Sequence, residues 1–269
     1  MSRIVPFQMN TVEGIGAGQK AFVKLTNGPT YQEIILETNL EAADIVKVTL
    51  DVGGKHQNGV NVELTGAELL MLQKYHKRHE EAGIFVIPLG DIEGRTDLGQ
   101  MYGGLVTLPT DNIILRIELA GTLTTVTPTI KGWGYVSAPQ QKRDHLPQIK
   151  PHTVTNNAVG DFDYTNLPQD ANIKRLHCKG GTLSKVVVKK DGADRYEQSA
   201  VINSYVLKRN GKDPQADYFH IDHVVRGFLL ADMFNPKAVN DLTLRFTTTV
   251  GENVGLLVES VKAVPDQVA

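Results

Sequence analysis

Histidine and acidic side chains at helical spacing are the first residues in this chain whose pattern could bind a metal. His76, His79 and Glu80 are spaced three and four apart, and zinc uses such a helical face. Several charged residues surround them, however: Lys74, Lys77, Arg78 and Glu81. This composition is typical of a solvated helix end, so we predict no metal site there.

A second histidine group lies in a strand-like run. His220 and Asp222 share one face of a strand, whereas His223 falls on the other. A cupin-type metal site needs two histidines at alternate positions, a carboxylate and a further histidine downstream, and this arrangement is missing. The corresponding positions of the first half, Val86 and Pro88, carry no ligands. The pattern therefore argues against a metal-dependent bicupin enzyme.

Acidic side chains crowd two loops, and oxygen-rich loops can hold calcium. Surface loops also collect acids for solubility, which is the more frequent reason for such clusters. The calcium candidates are Asp91, Glu93, Asp97, Asp161 and Asp163. Trp133 could stack on a sugar if it is exposed, although a buried strand aromatic is the more usual role.

Motifs for nucleophilic or nucleotide chemistry are missing. There is no Gly-x-Ser-x-Gly elbow and no Walker loop, and the glycines at 14, 16 and 18 lack the preceding strand of a dinucleotide fingerprint. The single cysteine, Cys178, excludes an intramolecular disulfide framework, and we predict that it is buried in a strand. We therefore expect no catalytic residues, no required cofactor and no enzymatic activity.

The composition is that of a soluble globular protein. The 269 residues are 41% hydrophobic and 22% charged, and the net charge of −2 gives no general affinity for nucleic acid. Neither a signal peptide nor a run of roughly 20 apolar residues is apparent, so we expect synthesis and folding in a cytoplasm.

The best-patterned strand occurs twice. Residues 111–119 alternate Ile113, Leu115 and Ile117 on one face with Arg116 on the other, as a pleated strand requires. Residues 240–247 show the same alternation, and Arg245 follows Arg116 by 129 positions. We expect both arginines to face outward and to be available for contacts.

Other segments match in the same order along the two halves. Thr65 and Glu68 form a capping box for one helix, predicted to end at Gly83. We match Gly66-Ala67-Glu68 with Gly192-Ala193-Asp194, which predicts a second helix capped by Asp191 and running to Gly211. Further matches pair 38–40 with 165–167, 43–45 with 171–173, 53–54 with 180–181, and 85–87 with 219–221. Between the second and third of these matches, Val48 and Leu50 correspond to Leu176 and Cys178. The order of these matches indicates a tandem repeat.

Each half offers about eight strands and one inserted helix, and two packed antiparallel sheets are the usual way of closing so many strands. We predict an all-β fold of tandem eight-stranded jelly-roll barrels, a double jelly roll with one short helix inserted in each. The predicted divisions are an N-terminal arm over 1–20, a first jelly roll over 21–137, a proline-containing linker over 138–151 and a second jelly roll over 152–269.

A tandem jelly roll of this length without a catalytic cluster resembles the double jelly-roll major capsid proteins of tailless icosahedral viruses with an internal membrane, most of all the corticovirus type. The resemblance covers nearly the whole chain as architecture and rests on no short motif. It implies a virion protein that forms homotrimers of six barrels, pseudo-hexagonal capsomers that tile an icosahedral shell close to, but not spanning, a lipid bilayer. It also implies neighbouring capsomers, vertex proteins and membrane proteins as partners, no direct nucleic acid binding, and structural calcium. We further expect the arm and residues 263–269 to contact neighbours at the capsid base.

The alternative that the residues leave open is a two-domain β-sandwich that binds carbohydrate or acts as an adhesin. It would require an exposed aromatic near Trp133.

Overall fold

A computed structural model describes residues 4–54, 59–156 and 158–268. In the first half the elements are β1 (Val5–Gln8), β2 (Lys20–Lys24), β3 (Thr30–Thr38), a 3-10 turn (Ala42–Asp44), β4 (Ile45–Gly53), β5 (Val60–Leu64), α1 (Gly66–Tyr75), β6 (Ile84–Pro88), α2 (Asp97–Tyr102), β7 (Leu105–Val106), β8 (Asn112–Leu119) and β9 (Ile130–Ser137). In the second half they are β10 (Lys142–Val154), β11 (Gly160–Tyr164), β12 (Asn172–Lys179), β13 (Leu183–Lys190), β14 (Ala193–Ser199), α3 (Ala200–Arg209), β15 (Tyr218–Asp222), α4 (Leu229–Asp232), β16 (Leu242–Thr248) and β17 (Val254–Val268).

The strands form three sheets. One has the order β1-β9-β3-β6, with β7 added to β3; one has the order β11-β16-β13-β14; and an eight-stranded sheet runs β15-β12-β17-β10-β5-β4-β8-β2. The eight-stranded sheet contains four strands from each half of the chain. They meet at a parallel pairing of β10 with β5, where Ile149 lies opposite Val62. Each half of the chain therefore supplies two four-stranded layers, and the two halves share a continuous sheet.

Two hydrophobic clusters correspond to the two halves, and the first also includes Leu146, Ile149, Leu257 and Val264 from the second half. Residues such as Ile34, Leu50 and Leu115 form the first cluster, and Leu176, Val186 and Phe246 belong to the second. The alternation predicted for the repeated strand is confirmed, because Leu115 and Leu244 are both fully buried. The all-β double jelly roll is the observed architecture.

The two halves follow the same topology. In order along each sheet, β1, β9, β3 and β6 correspond to β10, β17, β12 and β15, and β2, β8, β4 and β5 correspond to β11, β16, β13 and β14. β3 and β12 even carry a bulge at the same place, between Tyr31 and Glu33 and between Ile173 and Arg175. The predicted repeat is thus present, but the matches of 43–54 with 171–181 are one strand out of step. They paired β4 with β12, whereas β4 occupies the topological position of β13.

The prediction of the second helix is wrong at its start. Residues 193–199 form β14, and α3 begins only at Ala200, where the Ser199 hydroxyl accepts from Ile202 N. Asp191 and Gly192 both have positive φ (52° and 75°) and connect β13 to β14. Asp-Gly is a strong hairpin signal because a type I′ turn needs positive φ at both central residues, and here it outweighs the helix-cap reading of Asp191.

The first helix is capped as predicted but is shorter. Thr65 and Glu68 form the expected capping box, while the helix ends at Tyr75 rather than at Gly83. Lys77, with φ of 51°, terminates the helical backbone. The sequence did not reveal α2, and the segment 123–126 between β8 and β9 is irregular.

The predicted arm and linker are both part of the sheets. β1 pairs with β9, and Met9 and Val12 are buried in the first core, because their apolar side chains fill its edge. From Lys142 the predicted linker is β10, which pairs with β17 as far as Val268. Part of the predicted arm, Val5–Gln8, and the C-terminal segment as far as Val268 are therefore strands of this fold. Their contact with neighbours at a capsid base stays a prediction.

Candidate functional site

A buried polar interface joins the two jelly rolls. It is made by the end of α1 and the loop after β6 from the first half, which pack on the outer face of β12, β15 and β17 from the second. Leu257 and the half-buried Tyr218 on that face pack against the first hydrophobic core. We call this contact the interdomain site.

Arg175 is at the centre of the interdomain site. Its guanidinium donates from Nε to Asp222 Oδ2 at 3.0 Å, from Nη2 to Asp91 Oδ2 at 3.1 Å and from Nη1 to Glu259 Oε2 at 3.4 Å. Lys174 Nζ adds a contact of 3.6 Å to the same Glu259 oxygen. Asp91 comes from the first jelly roll and the other residues from the second, so this network ties the domains together.

Two histidines extend the network across β12 and β15. His177 Nε2 lies 2.8 Å from Glu259 Oε1, and its Nδ1 lies 2.7 Å from His220 Nδ1. The ring of Tyr75, at the end of α1, packs on both imidazoles with centroid distances of 5.2 Å and 4.6 Å. Its hydroxyl donates to Asp222 Oδ2 at 2.8 Å. Tyr75 thus anchors the end of α1 on the polar surface of the second domain.

A second ionic group borders the first. Lys212 Nζ lies 2.6 Å from Glu93 Oε2 and 3.1 Å from His76 Nδ1, and His76 Nδ1 is 3.2 Å from the same Glu93 oxygen. Arg78 pairs with the buried carboxylate of Glu33. His76, a zinc candidate by its spacing from His79 and Glu80, is therefore part of the domain contact.

Burial and neighbouring positive charges shift the pKa values of the carboxyl groups in opposite directions. Burial alone raises the pKa of Asp91 and of Glu259, but the charges of Arg175 and Lys174 outweigh it and leave both pKa values below their usual range. Burial drives the pKa of Tyr75 well above that of a free tyrosine, with the charge of Asp222 adding to it. Burial lowers the pKa of His76 to about 4. The carboxylates are thus held ionised, and His76 and Tyr75 are held neutral.

Chemically, the charged groups of the interdomain site pair with one another across the domain contact and fix the angle between the two domains. A buried ionic network adds little net stability because desolvation offsets the attraction, but breaking it is costly and its geometry is demanding. Cys178 is fully buried, as predicted, and burial raises its pKa to about 12, far from the thiolate form of a nucleophile.

The calcium candidates do not converge. Asp91 and Glu93 are engaged by Arg175 and Lys212, Asp163 is held by Arg245 at 2.7 Å, and Asp161 accepts from the Thr247 hydroxyl at 2.6 Å. Asp97 is exposed at the start of α2. Within residues 4–54, 59–156 and 158–268, no group of three or more metal-ligating side chains is found. Calcium binding stays a prediction.

The remaining predicted residues also have partners. Arg116 pairs with Asp51 at 2.8 Å and Arg245 with Asp163, so both arginines face outward but are used within their own domains. The indole of Trp133 is half-buried and donates to Glu37 at 2.9 Å. His79, 86% exposed, contacts only Glu81 in the described part of the chain.

Sequence reasoning missed Arg175, Glu259 and Lys212. A sequence signal existed only for Glu259, which follows the apolar run Leu256-Leu257-Val258, whereas Arg175 lies in a strand that also contains Lys174 and Lys179. Charged residues in such strands are expected to face solvent unless a second domain covers them, and the sequence does not show which face is covered.

The fold and the domain contact together define a class, the tandem jelly-roll proteins with a shared central sheet. The family model of the viral coat protein P2 N-terminal domain matches residues 6–137, and that of the P2 C-terminal domain matches residues 146–264. The chain belongs to the viral coat protein P2 family. It is a structural protein of a viral capsid and is located in the virion.

Individual relatives agree with this assignment. The chain is 25% identical over 266 residues to the major capsid protein P2 of Pseudoalteromonas phage PM2, covering 93% of this chain and 94% of that protein. The crystal structure of the PM2 protein superimposes with a TM-score of 0.86 at 18% identity, covering 98% of both chains. The atomic structure of Sulfolobus Turreted Icosahedral Virus gives a TM-score of 0.67 at 12% identity, covering 97% of this chain and 91% of that chain, a likeness of fold.

The helices of the described residues are too short or too polar to cross a membrane.

Proposed function

We propose that three copies of this chain form a homotrimeric capsomer, in which six jelly rolls make a pseudo-hexagonal ring. The observation that supports this most is the duplication itself. Two domains of the same topology, held at one angle by a shared sheet and by the Arg175 network, let a threefold assembly fill a near-sixfold position. A contact between two different surfaces of neighbouring copies closes into a ring when the rotation that relates the copies is suitable.

The same capsomers would tile an icosahedral shell around an internal membrane, beside neighbouring capsomers and in contact with vertex and membrane proteins. The family assignment and the resemblance to internal-membrane viruses support this proposal. The role would be structural, without catalysis and without direct nucleic acid binding, in keeping with the net charge of −2.

Calcium would act in the assembled shell rather than in the isolated chain. Among the five candidates Asp97 is exposed and has no ion pair among the described residues, so it is the carboxylate most open to a ligand from a neighbouring subunit. Chelation of calcium from shells should then release intact trimers. Shells that survive chelation unchanged would contradict this role.

Solution mass tests the capsomer. The purified chain should have a mass of 3 × 29.5 kDa by light scattering, and the trimer should persist at high salt, because most of its contacts would be buried. A chain that stays monomeric at 29.5 kDa at all accessible concentrations would contradict the proposal. A glycan-binding role is less well supported, because the Trp133 indole is engaged by Glu37.

A further inference from the structure

The contact between the two jelly rolls of one chain has a donor and a receiver. The donor is α1, whose Met71 and Tyr75 are 4% and 0% exposed because they lie against the second domain or at its border. The receiver is the outer face of the sheet β10-β17-β12-β15, where Tyr75 packs on His177 and His220. Because the halves share one topology, the same chain contains a second helix equivalent to this donor and a second sheet face equivalent to this receiver.

The second donor is α3. Ser199 lies 134 positions after the N-cap Thr65, and Phe219 lies 134 positions after Phe85, so helix and following strand correspond without a gap. Asn203 and Leu207 are buried against their own barrel, at 5% and 2% exposure, as are their counterparts in α1, Leu69 and Gln73. The two helices are therefore seated on their barrels in the same orientation.

The outward face of α3 is apolar and uncovered. Val201, Ile202 and Tyr205 are 78%, 54% and 62% exposed, and Tyr205 corresponds to the buried Met71. This side of the helix has no partner among the described residues. On α1 the corresponding Met71 and Tyr75 are buried, whereas Glu68 is half-buried and Ala67 is exposed. A cluster of three exposed large apolar side chains on one helical turn is typical of an interaction surface.

The second receiver is the outer face of the sheet β1-β9-β3-β6. In the second domain the row His177, Leu257 and His220 lies across this face and is almost fully buried, at 0%, 3% and 0% exposure. The corresponding row in the first domain is Ile35, Trp133 and Val86. Val86 is buried at 8% exposure, whereas Ile35, Trp133 and the adjacent Tyr135 are half-buried, so the surface that α1 covers in one domain is partly open in the other.

The two uncovered surfaces match in chemistry. The polar receiver of the second domain takes α1 with its Tyr75, and the aromatic and aliphatic receiver of the first domain faces a helix that carries Val201, Ile202 and Tyr205. The charged positions differ between the two pairs of surfaces. Arg209 of α3 stands where α1 has Tyr75. Glu33, which is buried and paired with Arg78 in the same chain, stands where the second domain has Arg175.

We propose that α3 docks through Val201, Ile202, Tyr205 and Arg209 on the Ile35, Trp133 and Tyr135 surface of a second copy of this chain. This contact repeats between chains the one that α1 makes within the chain. In the single chain the α3 surface is exposed and the Ile35, Trp133 and Tyr135 surface is half-buried, so the two do not cover each other there. The proposal rests on the proposed trimer and names the surfaces that build it.

Cysteine cross-linking tests this pairing directly, because the native Cys178 is fully buried and does not react. One chain carries Arg209→Cys and another Ile35→Cys, at the positions that correspond to the Tyr75 and His177 contact. When the two chains are co-expressed, a short bis-maleimide should give a covalent dimer of 2 × 29.5 kDa. Each single variant alone should give no cross-link, because a head-to-tail contact never places two identical positions together.

The outcomes separate this proposal from the trimer itself. Trimers that form normally but give no mixed cross-link, or cross-links between two R209C chains, would overturn the docking mode and leave the capsomer intact. A wild-type chain that is monomeric would remove both.

A surface variant gives a second, independent readout. Tyr205→Glu should weaken trimer formation at least tenfold by sedimentation, because it places a charge in an apolar contact. Val239→Glu is the matched control, since Val239 is 90% exposed and lies outside both surfaces. Both variants should fold, because neither side chain is buried. Equal trimer stability of Y205E and V239E would count against the proposal.

Discussion

The hydroxyl of Tyr75, at the end of the first helix, donates a hydrogen bond of 2.8 Å to Asp222, which lies 147 positions further along the chain in the other jelly roll. Asp222 also accepts from Arg175 at 3.0 Å and from the amide of Val224 at 2.9 Å. The Asp222 carboxylate therefore accepts hydrogen bonds from a helix of one domain, from a strand of the other and from its own turn. The angle between the domains depends on groups of this kind as well as on the shared sheet.

Replacing Tyr75 by Phe removes one donor from a buried carboxylate and keeps the ring packing. A hydrogen bond to a charged group contributes about 1.5–3 kcal/mol, so the free energy of unfolding should fall by that amount in a urea titration at fixed protein concentration. Tyr164→Phe is the control, since that hydroxyl makes an exposed bond to Asn166. An equal loss of unfolding free energy in both variants would mean that the interdomain hydrogen bond stabilises the protein no more than an exposed one.

Arg175→Met should be far more damaging than its size suggests. It leaves Asp91, Asp222 and Glu259 buried together without the guanidinium that contacts all three, and removing one partner of a buried ionic network costs about 3–5 kcal/mol. Arg245→Met breaks the exposed pair with Asp163 and should change the urea midpoint little. If R175M unfolds at the wild-type urea concentration, the network is not what holds the domains.

Local patterns were sufficient for the barrels. The alternation of Ile113, Leu115 and Ile117 predicts β8 because one face of that strand is buried throughout, and the Thr65 and Glu68 capping box predicts the start of α1. The start of α3 differs from the prediction because the Asp-Gly hairpin signal outweighs the resemblance of Gly192-Ala193-Asp194 to the first helix start. Turn chemistry at Asp191 and Gly192 decides that segment.

The interdomain site could not be predicted in the same way. Arg175 and Asp91 are 84 positions apart, and nothing in the local pattern of either residue shows that the other jelly roll covers it. An arginine in a strand is expected to face solvent, as Arg116 and Arg245 do. Which outward face becomes an interface depends on how the two barrels meet, and that is a property of the whole chain.

Asp111→Asn tests the attachment of β10 to the first domain. Arg143, at the start of β10, forms a two-point contact with Asp111 at 2.5 Å and 3.1 Å, and both side chains are almost fully buried. The amide variant weakens a charge-assisted hydrogen bond to a buried guanidinium, so we expect a loss of about 1.5–3 kcal/mol in urea unfolding. Asp51→Asn, which weakens the half-exposed pair with Arg116, should cost about 0–1 kcal/mol. Similar losses in D111N and D51N would show that burial of the Asp111 pair does not matter.

Acidification should weaken the fold in two separable stages. His76 is buried, and its pKa of about 4 lies below the ordinary value of 6.5, with the charges of Arg175 and Lys212 adding to the effect of burial against the attraction of Glu93. Between these two pH values the unfolded chain binds more protons than the folded chain, so the free energy of unfolding falls as the pH drops from about 7 to about 4. The shift corresponds to about 3 kcal/mol from His76, and His220 and His223 act in the same direction.

The second stage belongs to the carboxylates. The pKa values of Asp91, Glu93 and Glu259 are lowered in the folded chain, so their contribution is present above about pH 4.5 and is lost below it. Urea unfolding of His76→Gln across pH 4 to 7 should show a shallower slope than the wild type, whatever its stability at pH 7. His79→Gln should keep the wild-type slope, because His79 is 86% exposed. A wild-type slope in H76Q would show that His76 is not held neutral by the interdomain site.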